Sequence, residues 1–269
     1  MYNVMKVVET VKLTRKFGSF TAVDALDLSI ETGDTFALLG PNGAGKTTVI
    51  KMLTTLLPIT SGEAFIGGFN VKSQSNKVRR IIGYVPQMIS VDGTLSGIEN
   101  LLLFARLYDI PSRELKSRTS EALKLMGLTD VAKKPVHEYS GGMIRRLEIA
   151  QSMLHRPAVL FLDEPTSGLD PIARKAVWDN LVDLRSEYNT TILITTHLME
   201  EADQLCNRIA FMSRGKLVAT GTPKDLKDSI GTPGASLEEV FIHYTAESLS
   251  EGHDYKSVVR ERKTEGRLR

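Results

Sequence analysis

The chain has 269 residues, with 34 Lys and Arg against 32 Asp and Glu for a net charge of +2, and 42% hydrophobic content. That length buries one substantial core with room for an inserted subdomain, and the charge balance argues against a basic, nucleic-acid-coating surface. The single cysteine, Cys206, excludes an internal disulfide and fits a reducing compartment, and no apolar run approaches the roughly 18 residues a membrane helix needs.

In chain order, Val7-Val8 and Ala25-Leu-Asp-Leu-Ser-Ile30 predict an antiparallel β portion, which a hairpin around Ser213-Arg-Gly215 extends. Phe36-Ala-Leu-Leu39 reads as a buried parallel strand, and Val49 to Thr54 as the start of a helix. The turn between them is Gly40, Pro41, Asn42, Gly43, Ala44, Gly45, Lys46, Thr47, Thr48. Its glycines permit positive φ and let successive N–H groups face a polyphosphate, and the helix start adds about half a positive charge. Lys46 then suits the β- and γ-phosphates, the Thr47 hydroxyl suits Mg²⁺, and Thr48 suits the α-phosphate. The reading is an ATP-binding loop.

Ile81-Ile-Gly-Tyr-Val85 is the next strand, running into Pro86-Gln87. Asn100 to Leu107 and Glu114 to Met126 pattern as helices, with Gly127 capping the second. Ser140 is a good N-cap for a helix in which Ile144, Leu147, Ala150 and Leu154 recur at spacings of three or four. Ala158-Val-Leu-Phe-Leu162, apolar throughout, ends at Asp163-Glu164, and Thr191 to Thr196 ends at His197. Trp178 falls on a helix and reads as packing, and Arg145-Arg146 as decoration of a helix facing a nucleotide interface or solvent. Cys206 falls at the polar end of a helix. From Thr232 onward Pro, Gly, Ser and mixed charge dominate, and Glu247 to Arg269 is expected to be frayed or disordered, with contact to a partner as the alternative. The N-terminus lacks a signal-peptide layout, so the chain is expected not to span a membrane itself.

Ligands of open parallel sheets gather at the carboxyl ends of strands, so Lys46, Gln87, Asp163, Glu164 and His197 are expected around one nucleotide. Asp163 suits a water-mediated hold on Mg²⁺, and Glu164 suits orienting the attacking water or taking its proton. His197 suits the γ-phosphate, and Gln87 the Mg²⁺ shell. The plainer alternatives are a helix cap for His197 and a turn residue for Gln87, which taken alone is weak evidence. Ser140-Gly141-Gly142 opens a second helix suited to an anion, in a chain with one lysine loop. That helix start makes most sense as part of another molecule's site.

With these motifs in order, the chain resembles the ATP-binding subunits of ABC transporters over residues 5 to 224. The phosphate loop spans 40 to 48, the glutamine loop has Gln87, and the signature is Tyr139-Ser-Gly-Gly-Met143. The acidic strand end is Leu160-Phe-Leu-Asp-Glu164, the dimer loop Ser167-Gly-Leu-Asp170, and the switch histidine His197. The commoner signature is Leu-Ser-Gly-Gly-Gln, so Tyr139 and Met143 are departures that leave the serine and glycines in place. The resemblance implies that Phe17 stacks on adenine, as an alternative to serving as a core phenylalanine. Arg145-Arg146-Leu147, Glu99 to Tyr108 and Leu237-Glu-Glu-Val-Phe241 resemble the multidrug and daunorubicin-type exporter ATPases.

The implied fold is α/β, a P-loop NTPase core with an antiparallel β portion and an inserted helical subdomain. Residues 1–224 would form the ATPase domain, with its core at 1–86 and 157–224 and its helical subdomain at 88–156. Residues 225–269 would be a C-terminal extension. The implied activity is Mg²⁺-dependent ATP hydrolysis at a head-to-tail dimer interface, driving export of a drug-like or lipid-like substrate through a separate membrane permease. The implied location is the cytoplasmic face of the cell membrane, with no nucleic acid partner. A soluble ATPase acting on nucleic acid or translation is the alternative.

Overall fold

The inner strands of the main sheet are buried on both faces, and the architecture shows why. A computed structural model describes residues 5–250, with side chains through residue 246. The first layer is built from β1 (Lys6–Phe17) and β2 (Phe20–Glu31). β3 (Thr35–Leu39) then enters the second layer and leads into α1 (Lys46–Leu53). β4 (Ser61–Ile66) and β5 (Phe69–Asn70) return to the first layer, an antiparallel four-stranded sheet in the order β2-β1-β4-β5.

After α2 (Ser75–Ile81) and β6 (Ile82–Val85) come three helices, α3 (Gly97–Leu107), α4 (Ser112–Leu125) and α5 (Gly141–Met153). The chain then alternates β7 (Val159–Asp163), α6 (Pro171–Tyr188), β8 (Thr191–Thr196), α7 (Met199–Leu205) and β9 (Arg208–Ser213). β10 (Lys216–Gly221), α8 (Pro223–Ser229) and α9 (Leu237–Ser250) complete the described chain. The second sheet has the order β10-β9-β3-β8-β7-β6, parallel except for β10.

Along β3, Phe36 and Leu38 enter the core shared with the antiparallel sheet and α1, while Ala37 and Leu39 enter the core shared with the helices. Val159 and Phe161 alternate with Leu160 and Leu162 in the same way on β7. Side chains alternate between faces along a strand, so a sheet covered on both sides needs an unbroken apolar run.

β1 is much longer than Val7-Val8 alone predicts. A register shift at Thr10/Leu13, with left-handed Lys12 (φ 48°) in β1 and left-handed Ala25 (φ 47°) in its partner β2, breaks its alternation. Thr10 bridges one shift, its hydroxyl donating to Leu26 O at 2.8 Å and accepting from Leu28 N at 2.8 Å. These bulges hide a period-two strand from any simple pattern. Ile81 ends α2 and so does not begin the following strand. α3 starts ahead of Asn100 because Ser96 and Glu99 form a capping box.

Cys206 is the C-cap of α7, at the end of a helix as expected, and is buried there. Burial, with Glu201 nearby, pushes its thiol well above the usual range. Trp178 packs as expected and also donates from Nε1 to Glu201 Oε1 at 2.9 Å, an atom that accepts from Thr166 Oγ1 at 2.7 Å. The C-terminal extension is not loose from its start, for Leu226, Leu237 and Val240 are buried in the helical-side core. α9 runs through Glu247 to Ser250, and the remainder of the segment expected to be disordered lies outside the described residues. Among the described residues, no helix is long and apolar enough to cross a membrane.

His155, just beyond α5, stacks on Tyr108 with ring centroids 4.0 Å apart and bonds Ile82 O through Nε2 at 2.9 Å. The carbonyl only accepts, so Nε2 carries the hydrogen, and buried Nδ1 has no partner among the described residues. Burial lowers the His155 pKa, so between the folded value and the unfolded value of about 6.5 the unfolded chain binds more protons. This contribution to stability is full above the unfolded value and is lost as the pH falls toward the folded one. Urea midpoints measured from pH 8 to 5 are expected to decline, and His155→Phe is expected to flatten the decline.

Candidate nucleotide site

The site begins where β3 gives way to α1. Gly45 takes the N-cap position with φ 106° and no side-chain cap, which leaves the first-turn N–H groups of α1 free of side-chain partners. A methyl at Gly40 would stand 2.2 Å from Met212 O, and one at Gly45 2.6 Å from Ala22 O, so close backbone approach excludes a larger residue at either. Lys46 is 5% exposed and donates from Nζ to Gly40 O at 2.7 Å and Pro41 O at 3.1 Å. Desolvation lowers its pKa, with the Glu164 and Asp163 carboxylates pulling the other way.

The end of β7 supplies the acids. Asp163 Oδ1 accepts from Thr47 Oγ1 at 3.0 Å and from Thr195 Oγ1 at 2.5 Å. Glu164 turns left-handed at φ 49°, a conformation disfavoured for a non-glycine residue. It is held there by bonds from its N–H to Thr195 O at 3.0 Å and Thr195 Oγ1 at 3.1 Å. Its Oε1 lies 3.8 Å from Lys46 Nζ, and its Oε2 lies 3.4 Å from His197 Nδ1 and accepts from Gln87 Nε2 at 3.2 Å. Lys46, Thr47, Gln87, Asp163, Glu164 and His197 are thus brought together. Thr195 was hidden from sequence reasoning inside an apolar strand, although paired threonines closing such a strand are a signal.

A cleft of about 420 Å³ is lined by Phe17, Phe20, Ala22, residues 42–48, Gln87 and Glu164, whereas Asp163 and His197 are not in its lining and contact it through Thr47 and Glu164. Phe17 is half exposed, with the Arg15 guanidinium 4.5 Å from its ring centroid. Its hairpin partner Phe20 is a second aromatic wall that the sequence reading did not single out.

Among the described residues lining the cleft, none belongs to 140–142. Ser140 caps α5, its Oγ accepting from Met143 N at 3.3 Å, and Ser140 and Gly141 are exposed. Gly142 packs against α6, where a methyl would stand 2.7 Å from Ala173 Cβ. Tyr139 donates to Val131 O at 2.8 Å, and a methyl at Gly97 would stand 2.3 Å from its hydroxyl. The tyrosine thus has a bonded place that the adjoining glycine leaves open. Asp170 caps α6, its Oδ1 accepting from Ile172 N and Ala173 N, both at 2.9 Å. Arg145 and Arg146 do not decorate a surface. Arg145 is buried against Pro86 and Gln87, and Arg146 donates to Met126 O at 2.9 Å.

A glycine loop between β3 and α1, an acid pair at β7, a histidine after β8 and a covering antiparallel sheet define a P-loop NTPase fold of the ABC ATPase kind. A family profile described as "ABC transporter" matches residues 23–167. The chain is 41% identical over 239 residues to the probable multidrug ABC transporter ATP-binding protein YbhF of Escherichia coli, covering 88% of this chain and 41% of that one. It is 44% identical over 227 residues to the daunorubicin/doxorubicin resistance ATP-binding protein DrrA of Streptomyces peucetius, covering 84% and 68%. A solved ATP-binding subunit of an ABC transporter superposes with a TM-score of 0.79 at 27% identity, covering 89% of this chain and 99% of that one. The chain belongs to the ABC transporter family, and it spans about two fifths of the length of YbhF, at 41%.

Proposed function

We propose that this chain is an ATP-hydrolysing subunit that works as a head-to-tail pair and drives export through a separate membrane permease. The observation that carries this reading is the convergence of Lys46, Gln87 and Glu164, with His197 against Glu164, at a cleft that residues 140–142 do not line. The loop 40–48 holds the phosphates, Phe17 takes the adenine, and the exposed Ser140-Gly141 end of α5 meets the γ-phosphate held by a second copy. The Ser167–Asp170 turn lies between the copies. Hydrolysis then loosens the pair.

Hydrolysis follows from the acid cluster. Water attacks the γ-phosphorus, Glu164 orients it and accepts its proton, and the bond to the β–γ bridging oxygen breaks to give ADP and phosphate. His197 bonds the γ-phosphate and fixes Glu164 from the other side. Thr47, Asp163 and Gln87 offer the hard oxygen donors that suit Mg²⁺, with the Thr47 hydroxyl and the Asp163 carboxylate already adjacent at 3.0 Å. Thr47 and Gln87 would hold the ion directly and Asp163 through a water. Bound there, Mg²⁺ neutralises charge on the phosphates.

Residues 88–156 serve as the helical subdomain on which the permease docks, beside a core formed by 1–86 and 157–224. The relatives' names, which cite multidrug transport and daunorubicin resistance, support a drug-like cargo, while a lipid-like cargo and a place at the cytoplasmic face of the membrane rest on the family resemblance. The near-zero net charge favours this over a nucleic-acid partner. The purified protein is expected to release phosphate from ATP with Mg²⁺ and to lose that activity in EDTA. Extracted in detergent from its native cell, it is expected to co-purify with a multi-helix membrane protein. Nucleic-acid-stimulated turnover without such a partner would overturn the export reading.

A further inference from the structure

Arg145 and Glu148 are 7% and 2% exposed, yet both carry ionisable groups that neither the cleft nor the apolar core needs. They stand three residues apart on α5, on the same face of the helix. Arg145 donates from Nη1 to Pro86 O at 2.7 Å and from Nη2 to Gln87 O at 3.0 Å. Its Nη1 lies 3.0 Å from Glu148 Oε2. Glu148 Oε1 accepts from Ser90 N at 2.6 Å and Ser90 Oγ at 2.9 Å. One turn of α5 therefore grips both sides of Gln87. Between the gripped points Met88 and Ile89 are exposed, at 82% and 63%.

We propose that Arg145 and Glu148 form a positioning clamp through which the helix opened by Ser140 sets the place of Gln87 in the cleft of its own chain. The planar guanidinium suits two neighbouring carbonyls at once, which a lysine ammonium cannot match as a fork. Glu148 balances the buried charge and ties the far end of the segment. The Gln87 side chain is left to reach Glu164 Oε2 at 3.2 Å. An α-helix rises 1.5 Å per residue, so about 7 to 8 Å of rigid helix joins Ser140 to Arg145. A shift of that end toward a partner's phosphate would carry Gln87 with it, linking one copy's signature to the other half of the same chain. This last step rests on the paired reading proposed above, whereas the clamp itself does not.

Two measurements separate them. In the full chain without nucleotide, Arg145→Lys keeps a cation beside Glu148 but loses the fork. Amide exchange over 87–90 is expected to quicken about tenfold, with residues 40–48 unchanged. Unchanged exchange over 87–90 overturns the clamp, whatever the protein hydrolyses. In ATP turnover, Arg145→Lys is expected to lower kcat about tenfold and move KM less than about twofold. Combined with Gln87→Ala, it is expected to add nothing to the loss from Gln87→Ala alone. Multiplying losses would show that Arg145 does not act through Gln87. Absent turnover in the unmodified protein would instead sink the proposed function and leave the exchange result standing.

Discussion

Glu164→Gln is expected to slow ATP turnover by about 10²–10⁴-fold, the range for losing a positioned general base, while ATP binding persists. Glutamine keeps the length of the side chain and can still accept from Gln87 Nε2, which lies 3.2 Å from Glu164 Oε2. The left-handed backbone at φ 49°, pinned by Thr195, should survive because no bond to it involves the substituted group. What disappears is a negative charge 3.8 Å from Lys46 Nζ and the only carboxylate set against both Gln87 and His197 among the described residues. Removing that charge beside a triphosphate also favours the ATP-bound pair. Moving a pairing equilibrium from 1:99 to 99:1 takes roughly 5.5 kcal/mol, which charge-assisted bonds to two sandwiched nucleotides can provide. Size-exclusion chromatography with ATP should therefore show a stable dimer that ADP does not support. A monomer with undiminished turnover would remove Glu164 from its assigned place.

Lys46→Ala should act at the earlier step and weaken ATP binding by about 30- to 5,000-fold, as truncating one member of a buried charge pair does. At 5% exposure the ammonium is largely shielded from water, so its attraction to phosphate is screened less than a surface lysine's. The same atom ties Gly40 O and Pro41 O, so its loss also loosens the loop that presents the N–H groups. Lys46→Arg should recover little because the loop closes tightly around the side chain. Equilibrium titration with a fluorescent ATP analogue reads both variants. Affinity within threefold of the unmodified chain would show that the cleft does not hold the phosphates.

Much of this site is legible in the chain because strand ends of a parallel sheet bring distant residues together. The apolar runs ending at Leu39, Val85, Leu162 and Ile194 each give way at the edge of the sheet to a different residue set, Gly40, Pro86-Gln87, Asp163-Glu164 and Thr195-Thr196-His197. The α5 start is legible for a similar reason, since Ser140 caps a helix with regular apolar spacing. β1 is not, because Lys12 and Ala25 bulge and shift the alternation of neighbouring side chains. Thr195 and Arg145 escape for a different reason. Their work is done through bonds to backbone atoms of segments 31 and 58 residues away, which periodicity within one element cannot report. Asp170 shows how a motif residue can have an unforeseen structural duty, because its carboxylate caps α6.

On the proposed pairing, Lys46 and Ser140-Gly141 serve one phosphate from two different chains, so two crippled chains should rescue one another when mixed. Gly141→Asp should fold, because a side chain at Gly141 meets Leu169 at no closer than 3.5 Å and an acid suits a helix N-terminus. Its carboxylate would nonetheless repel the incoming phosphate. Alone, Lys46→Ala and Gly141→Asp should each be inactive. Mixed in equal amounts they should recover about a quarter of normal turnover, because half the random pairs are mixed and each mixed pair restores one of its two sites. If each chain instead completed its own site, the mixture would remain as inactive as its components, and that result would contradict the account.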